Sequence, residues 1–211
     1  MSIAPAPVNA NALPDRGNVK GAPVRAFLDF FARQHGEAKV QAAIARLPAP
    51  LRRRVFPAPH APGFGLYASA WVPGEALGMI CDDLLAHADA TTRQRLAREA
   101  ARAVMNETLR GAHRALFRTI ASPELMVRNH MVYWRQQYDT GHVEIESLGS
   151  NAQQHTYRDW RGHHPFVCEV TFACIPHLYR AMRLAAPRLE DYRCRDCHGG
   201  ESCSAIIRWD P

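Results

Sequence analysis

The sequence predicts an α+β fold: N-terminal helices packed with a small antiparallel sheet, a ββ-α-ββ C-terminal half and a zinc staple. Three observations carry this. Apolar residues from Gly21 to Tyr138 recur at helical spacing. From His142 the period falls to two. One apolar helical stretch then separates that first pair of strands from a second pair, an order typical of segregated α+β proteins. At 211 residues the chain can bury one sizeable core.

Residues 1–20 carry too few large apolar groups to offset the entropy of ordering, so a disordered tail is expected there. A single domain is expected over 21–211. Val24, Phe27, Leu28 and Phe31 form one helical stripe that Gly36 stops. Val40, Ile44 and Leu47 form a second, ended by Pro48. Pro57, Pro59, Pro62, Gly63 and Gly65 make a loop. Trp71-Val72-Pro73 then opens a helix with Leu77, Ile80, Leu84 and Leu85. The longest helical pattern spans Ala90 to Ile120, capped by Thr91 or Thr92, with Leu96, Ala100, Val104, Leu109, Ala112 and Leu116 on one side. Ser122-Pro123-Glu124 starts another, through Met126, Tyr133 and Trp134 to Tyr138. His142 to Glu146 alternates as a half-buried strand, and Gln153 to Arg158 returns from the turn. A helix over about 165–184, bent or broken at Pro176, precedes strands at roughly 188–193 and 204–209.

The net charge of +6 is almost all arginine, for Lys20 and Lys39 are the only lysines, and it is scattered among acidic residues. Arg52-Arg53-Arg54, the one dense run, sits among prolines and reads as a solvated helix end, so no nucleic-acid partner is expected. No run of 18 apolar residues exists, so no membrane span is expected. Met1 to Asp15 lacks a basic start and an apolar stretch, which argues against a secretory signal and for a cytoplasmic protein. Six cysteines in a reducing compartment point to metal or redox work.

The chemistry concentrates in Cys194-Arg195-Asp196-Cys197-His198-Gly199-Gly200-Glu201-Ser202-Cys203. Two cysteines separated by two residues can face one ion, and the paired glycines permit a knuckle. A tetrahedral zinc needs four ligands, and Cys168 is the expected partner of Cys194, Cys197 and Cys203, ahead of Asp191, His198 and Cys174. Cys174 is expected to be core packing. Cys194-x-x-Cys197-His198 also matches the c-type haem attachment pattern, but covalent attachment needs export. His130, on an aromatic-rich helix with Tyr133 and Trp134, is either ordinary packing, a polar anchor in a pocket or an axial haem ligand. His163-His164 reads as a loop end or helix cap. Glu144 and Glu146 share a solvated strand face. No nucleophile elbow, P-loop or dinucleotide fingerprint occurs.

The cysteine turn and its flanking strands, His164-Pro165-x-x-Cys168, and Trp134-x3-Tyr138-x2-Gly141-x-Val143-Glu144 together resemble the 4-vinyl-reductase-like domain. Lys20-Gly21, Leu47-Pro48 and Trp71-x-Pro73 extend the likeness toward short stand-alone bacterial members of unknown function. That resemblance implies a small-molecule-binding α/β module, found in aromatic-responsive transcription activators and related in fold to the haem–nitric-oxide-binding domain and to TRAPP tethering subunits. It also implies zinc ligands at Cys168, Asp191, Cys194 and Cys203, with Cys197 free to replace Asp191 because thiolate is the better zinc ligand here. The related haem domain keeps its proximal histidine near the place of His130, but its Tyr-x-Ser-x-Arg signature is absent here.

The expected function is a non-enzymatic sensory or regulatory protein with a structural zinc. A small apolar or aromatic ligand would lie against His130, Tyr133, Trp134, Phe166 and Phe172. The alternatives are a haem-based gas or redox sensor and an interaction scaffold without ligand. A site of four cysteines leaves zinc no open position, which argues against catalysis. With no output domain recognisable, the signal would pass through an unidentified protein partner or a homodimer formed on the Val24–Phe31 stripe.

Overall fold

A strand stands at the end of the segment where a tail was expected. Asn18–Lys20 forms β1 and pairs antiparallel with β2, Trp71–Pro73, placing Val19 opposite Val72. The tail expectation is corrected at residues 18–20 because Val19 is a core residue, 4% exposed, and the Asn18 backbone N–H donates to Asp139 Oδ1 at 2.5 Å. The computed structural model describes residues 17–109 and 121–211, so the rest of the expected tail lies outside the described residues.

The helices are α1 (Gly21–His35), α2 (Glu37–Arg46), α3 (Ala49–Val55), α4 (Gly74–Leu84), α5 (Ala90–Thr108), α6 (Pro123–Gln137), α7 (Pro165–Ala181) and the short α8 (Arg195–His198). Gly36, at φ +88°, turns the chain out of α1. Val24, Phe27, Leu28 and Phe31 are all buried in the core, so the stripe expected to support a homodimer is used internally. Asp89, rather than Thr91 or Thr92, caps α5: its carboxylate accepts the Thr92 N–H at 2.7 Å, satisfying one otherwise orphaned donor. The Ala112 and Leu116 end of the expected long helix lies outside the described residues. α7 is not broken at Pro176, since the buried Phe172, Ile175 and Tyr179 hold both halves in the core.

The ββ-α-ββ order appears as one antiparallel sheet in the order β3-β4-β6-β5, built from β3 (His142–Ser147), β4 (Ala152–Arg158), β5 (Ala185–Arg193) and β6 (Ser202–Asp210). Ile145 pairs with His155, Val143 with Tyr157, and Tyr157 with Cys203. Because side chains alternate along a strand, Val143, Ile145, His155, Tyr157 and Cys203 all stand on the helix-covered face. α6 packs on β3, and α7 packs on α5 and β5. The face on which the helices rest therefore carries both halves of the site. Among the described residues, no helix is long and apolar enough to cross a membrane.

Candidate functional site

Cys168 sits in the first turn of α7, started by Pro165 at a position that needs no N–H. Cys194 follows β5 at the N-cap of α8, and Cys203 lies at the start of β6. Together with His163 they form one group whose four ligand atoms lie within 4.8 Å of one another, with all three cysteines buried. His163 Nε2 stands 3.3 Å from Cys203 Sγ and 3.5 Å from Cys194 Sγ. A tetrahedral zinc with bonds of about 2.0–2.3 Å holds its ligand atoms roughly 3.5–3.8 Å apart, so these separations suit that ion.

The surroundings reinforce the donor set. Asp196 Oδ2 is 2.8 Å from His163 Nδ1, the carboxylate partner that keeps a ligating imidazole oriented with its other nitrogen free for metal. The Arg195 N–H donates to Cys203 Sγ at 3.4 Å, as amides in a metal knuckle do. Hydrogen bonding from the Cys168 thiol, against the opposing cost of burial, lowers Cys194 to about 4 and Cys203 to about 5. Burial pushes Cys168 well up. Burial pulls His163 down, but its hydrogen bond to Cys203 and the neighbouring negative charges more than reverse this. Two sulfurs thus favour the thiolate form that binds metal, and the third keeps a proton that a cation would displace.

Of the four expected metal ligands, Cys168, Cys194 and Cys203 are brought together. Cys197 is exposed and lies outside the group, because the first turn of α8 carries it outward; Asp191 and His198 are exposed as well. His198 Nδ1 instead accepts the Cys194 N–H at 3.0 Å. His163, read from sequence as a loop end, takes the fourth place. The available signal was its position five residues before Cys168, in a loop that Pro165 terminates.

The second half of the site is a cavity of about 490 Å³ between α1, α5, α6, α7 and the sheet. His130, Tyr133 and Trp134 line it from α6; Val143, Ile145, His155 and Tyr157 from the sheet; Val170, Thr171 and Cys174 from α7. Phe166 and Phe172 do not reach it. Phe166 packs edge-on against Phe27 and Phe31, and Phe172 stacks on Tyr157 with ring centroids 4.6 Å apart. Cys174, expected in plain core, lines the cavity, and burial lifts its thiol to about 12.

His130 Nδ1 is 2.6 Å from the Val127 carbonyl oxygen, an acceptor, so Nδ1 carries the proton and Nε2 the lone pair. Trp134 is held by its indole N–H donating to the Thr140 carbonyl at 2.8 Å and by stacking on Tyr138 at 4.1 Å. His155 and Tyr157, in β4, are cavity residues that sequence reasoning did not single out. β4 is buried over most of its length, Thr156 between them included, so no alternation marked them out.

No protein-family model matches the chain, and no curated protein matches it in sequence. Solved structures do match. An Fe(II) unliganded H-NOX protein from K. algicida superposes with TM-score 0.63 at 14% identity, covering 91% of this chain and 97% of that one. An H-NOX protein from S. oneidensis in the Fe(II)NO ligation state gives 0.62 at 15%, covering 91% and 99%. A structure described in terms of haem redox potential and porphyrin distortion gives 0.57 at 10%, covering 90% and 99%. The chain shares the fold of these H-NOX proteins.

Proposed function

We propose that the protein is a non-enzymatic small-molecule sensor that takes a planar, largely apolar ligand into the cavity, with a zinc ion bound by His163, Cys168, Cys194 and Cys203. One observation carries this reading: α7 lines the cavity with Val170, Thr171 and Cys174 and, one turn earlier, holds Cys168 in the metal-ligand group. Occupancy of the cavity and order at the knuckle are then coupled through one helix. Cavities of a few hundred Å³ with aromatic walls and a few polar groups are the common form of ligand sites. The Cys168, Cys194 and Cys203 set also fits the 4-vinyl-reductase-like pattern, with His163 in the place expected for Asp191. The signal would leave through an unidentified protein partner.

Haem is the occupant that the fold likeness favours, and one feature of the cavity fits it. His130, with Nδ1 tied to Val127, would hold the iron through Nε2 from an otherwise largely apolar wall. Bound there, haem would supply an iron able to take a diatomic gas. The second reading is a small aromatic molecule, favoured because no lysine or arginine stands among the described lining residues to meet haem carboxylates. Haemin titration separates them. A Soret band that is present in the wild type and lost in His130→Ala supports haem. Free-haem spectra throughout, with a thermal-shift response to small aromatics that Trp134→Ala abolishes, support the second. If neither response is seen, the sensor reading is overturned.

A further inference from the structure

His155 is the most deeply buried polar group on the cavity wall, 1% exposed, and neither occupant above gives it a task. Its hydrogen bonds run in one direction only. Pro123 offers a carbonyl oxygen, which can only accept, and Gln153 Nε2 donates to it at 3.1 Å. That orients the amide, so Gln153 presents Oε1 to Tyr179 and accepts the Tyr179 hydroxyl proton. With its single proton so committed, the Tyr179 oxygen must accept at its other contact, from His155 Nε2 at 2.9 Å. The ring is therefore the Nε2–H tautomer. Burial first, and the nearby His130 second, hold its pKa down at about 3, so no second proton joins it near neutral pH. Nδ1 is left as a bare lone pair on a residue of the cavity wall.

A group fixed as an acceptor selects ligands by what they can donate, and a ligand that displaces water from that lone pair without replacing its hydrogen bond loses affinity. A carboxylate brings only further lone pairs, and no lysine or arginine of the described lining residues would compensate them. We infer that His155 is the specificity-determining anchor of the cavity, accepting a hydrogen bond at Nδ1 from a neutral planar ligand that carries an N–H or O–H donor. This rests on the cavity being a ligand site, as proposed above. Pro123, Gln153 and Tyr179 are its positioning residues, acting through the tautomer.

Indole and benzofuran test it, being nearly isosteric bicycles of which only indole donates. Wild-type protein should bind indole roughly tenfold more tightly than benzofuran in calorimetric titration, the ratio worth one satisfied buried hydrogen bond. His155→Phe should bring that ratio to about one while benzofuran binding persists. Nitrogen-15 NMR of the ligand-free wild type gives a readout independent of any variant's folding: the His155 ring should show a protonated Nε2 and a bare Nδ1. Equal binding of the two probes, a preference that survives His155→Phe, or an Nδ1–H tautomer overturns the anchor and leaves the cavity reading intact. Failure of both probes to bind the wild type overturns the cavity reading for small aromatics and the anchor with it.

Discussion

His163 and Cys203 lie 40 residues apart in sequence, yet His163 Nε2 and Cys203 Sγ are separated by 3.3 Å. The contact joins the loop before α7 to the start of β6, and with Cys194 and Cys168 it gathers three chain segments at one point. A cation there would act as a cross-link that only the folded chain can form.

The first expectation follows: purified protein carries one zinc per chain by elemental analysis. Cys194→Ser, Cys203→Ser and His163→Ala should each lose the metal, while Cys197→Ser keeps it. Structural zinc is worth roughly 10–16 kcal/mol of apparent binding free energy in small peptides. Even a fraction of that, at roughly 2–4 °C per kcal/mol for a domain of this size, should lower Tm by about 10 °C or more on chelation. Metal lost from Cys197→Ser but retained in His163→Ala would restore the four-cysteine ligand set.

The second concerns β1. Val19 is buried opposite Val72, and removing two methyl groups from such a site costs about 2 kcal/mol through lost transfer energy and the cavity left behind. Val19→Ala should lower the urea midpoint accordingly, and Val19→Asp should do so severely by burying an unpaired charge. Unchanged midpoints in both variants would mean that the strand is dispensable.

The contrast between these two sites shows what local sequence carries. The alternation of His142 to Glu146 was legible because one face of β3 is buried and one solvated, and the cysteine turn was legible as a local device, although its two-residue spacing pointed to Cys197, which lies outside the group. His163 was not legible, since its partnership with Cys203 is decided by how β6 pairs with β4. β1 was missed because three residues hold too little periodicity, and its support, Asp139, is 121 positions away. Phe166 and Phe172 were assigned to the cavity because α7 is apolar around most of its circumference, and such a helix does not announce which side faces which neighbour.

A third expectation lies at Gly141. Its φ of +91° is a conformation that side chains rarely adopt, and an added Cβ would meet the Trp134 ring at 3.2 Å and the Trp160 Cα at 3.2 Å. Gly141→Ala should cost about 2 kcal/mol from the backbone alone, more if the indole is displaced. Because Trp134 lines the cavity, its fluorescence should shift in the variant, and any probe affinity should fall with it. A variant as stable as wild type, with unshifted fluorescence, would show that Trp134 is not held there.

The last expectation is acid sensitivity carried by His155. An unfolded histidine titrates near 6.5, whereas the buried ring holds out to about 3, pulled down by burial and then by His130. Above pH 6.5 neither state binds the proton, and stability is independent of this group. Between those limits the unfolded chain takes up a proton that the folded chain refuses, so stability falls as pH falls. The loss from this residue should reach about 2 kcal/mol by pH 5. His35 and His177 are also lowered and tilt the same way, so the measured quantity is the difference in slope between wild type and His155→Phe. The variant loses the hydrogen bond to Tyr179 and should start less stable at pH 7, yet decline less steeply on acidification. Tyr179→Phe, which keeps the buried ring but removes its partner, should retain the wild-type slope. Equal slopes in wild type and His155→Phe would mean that the imidazole is hydrated and titrates normally, and the fixed acceptor on the cavity wall would fall with it.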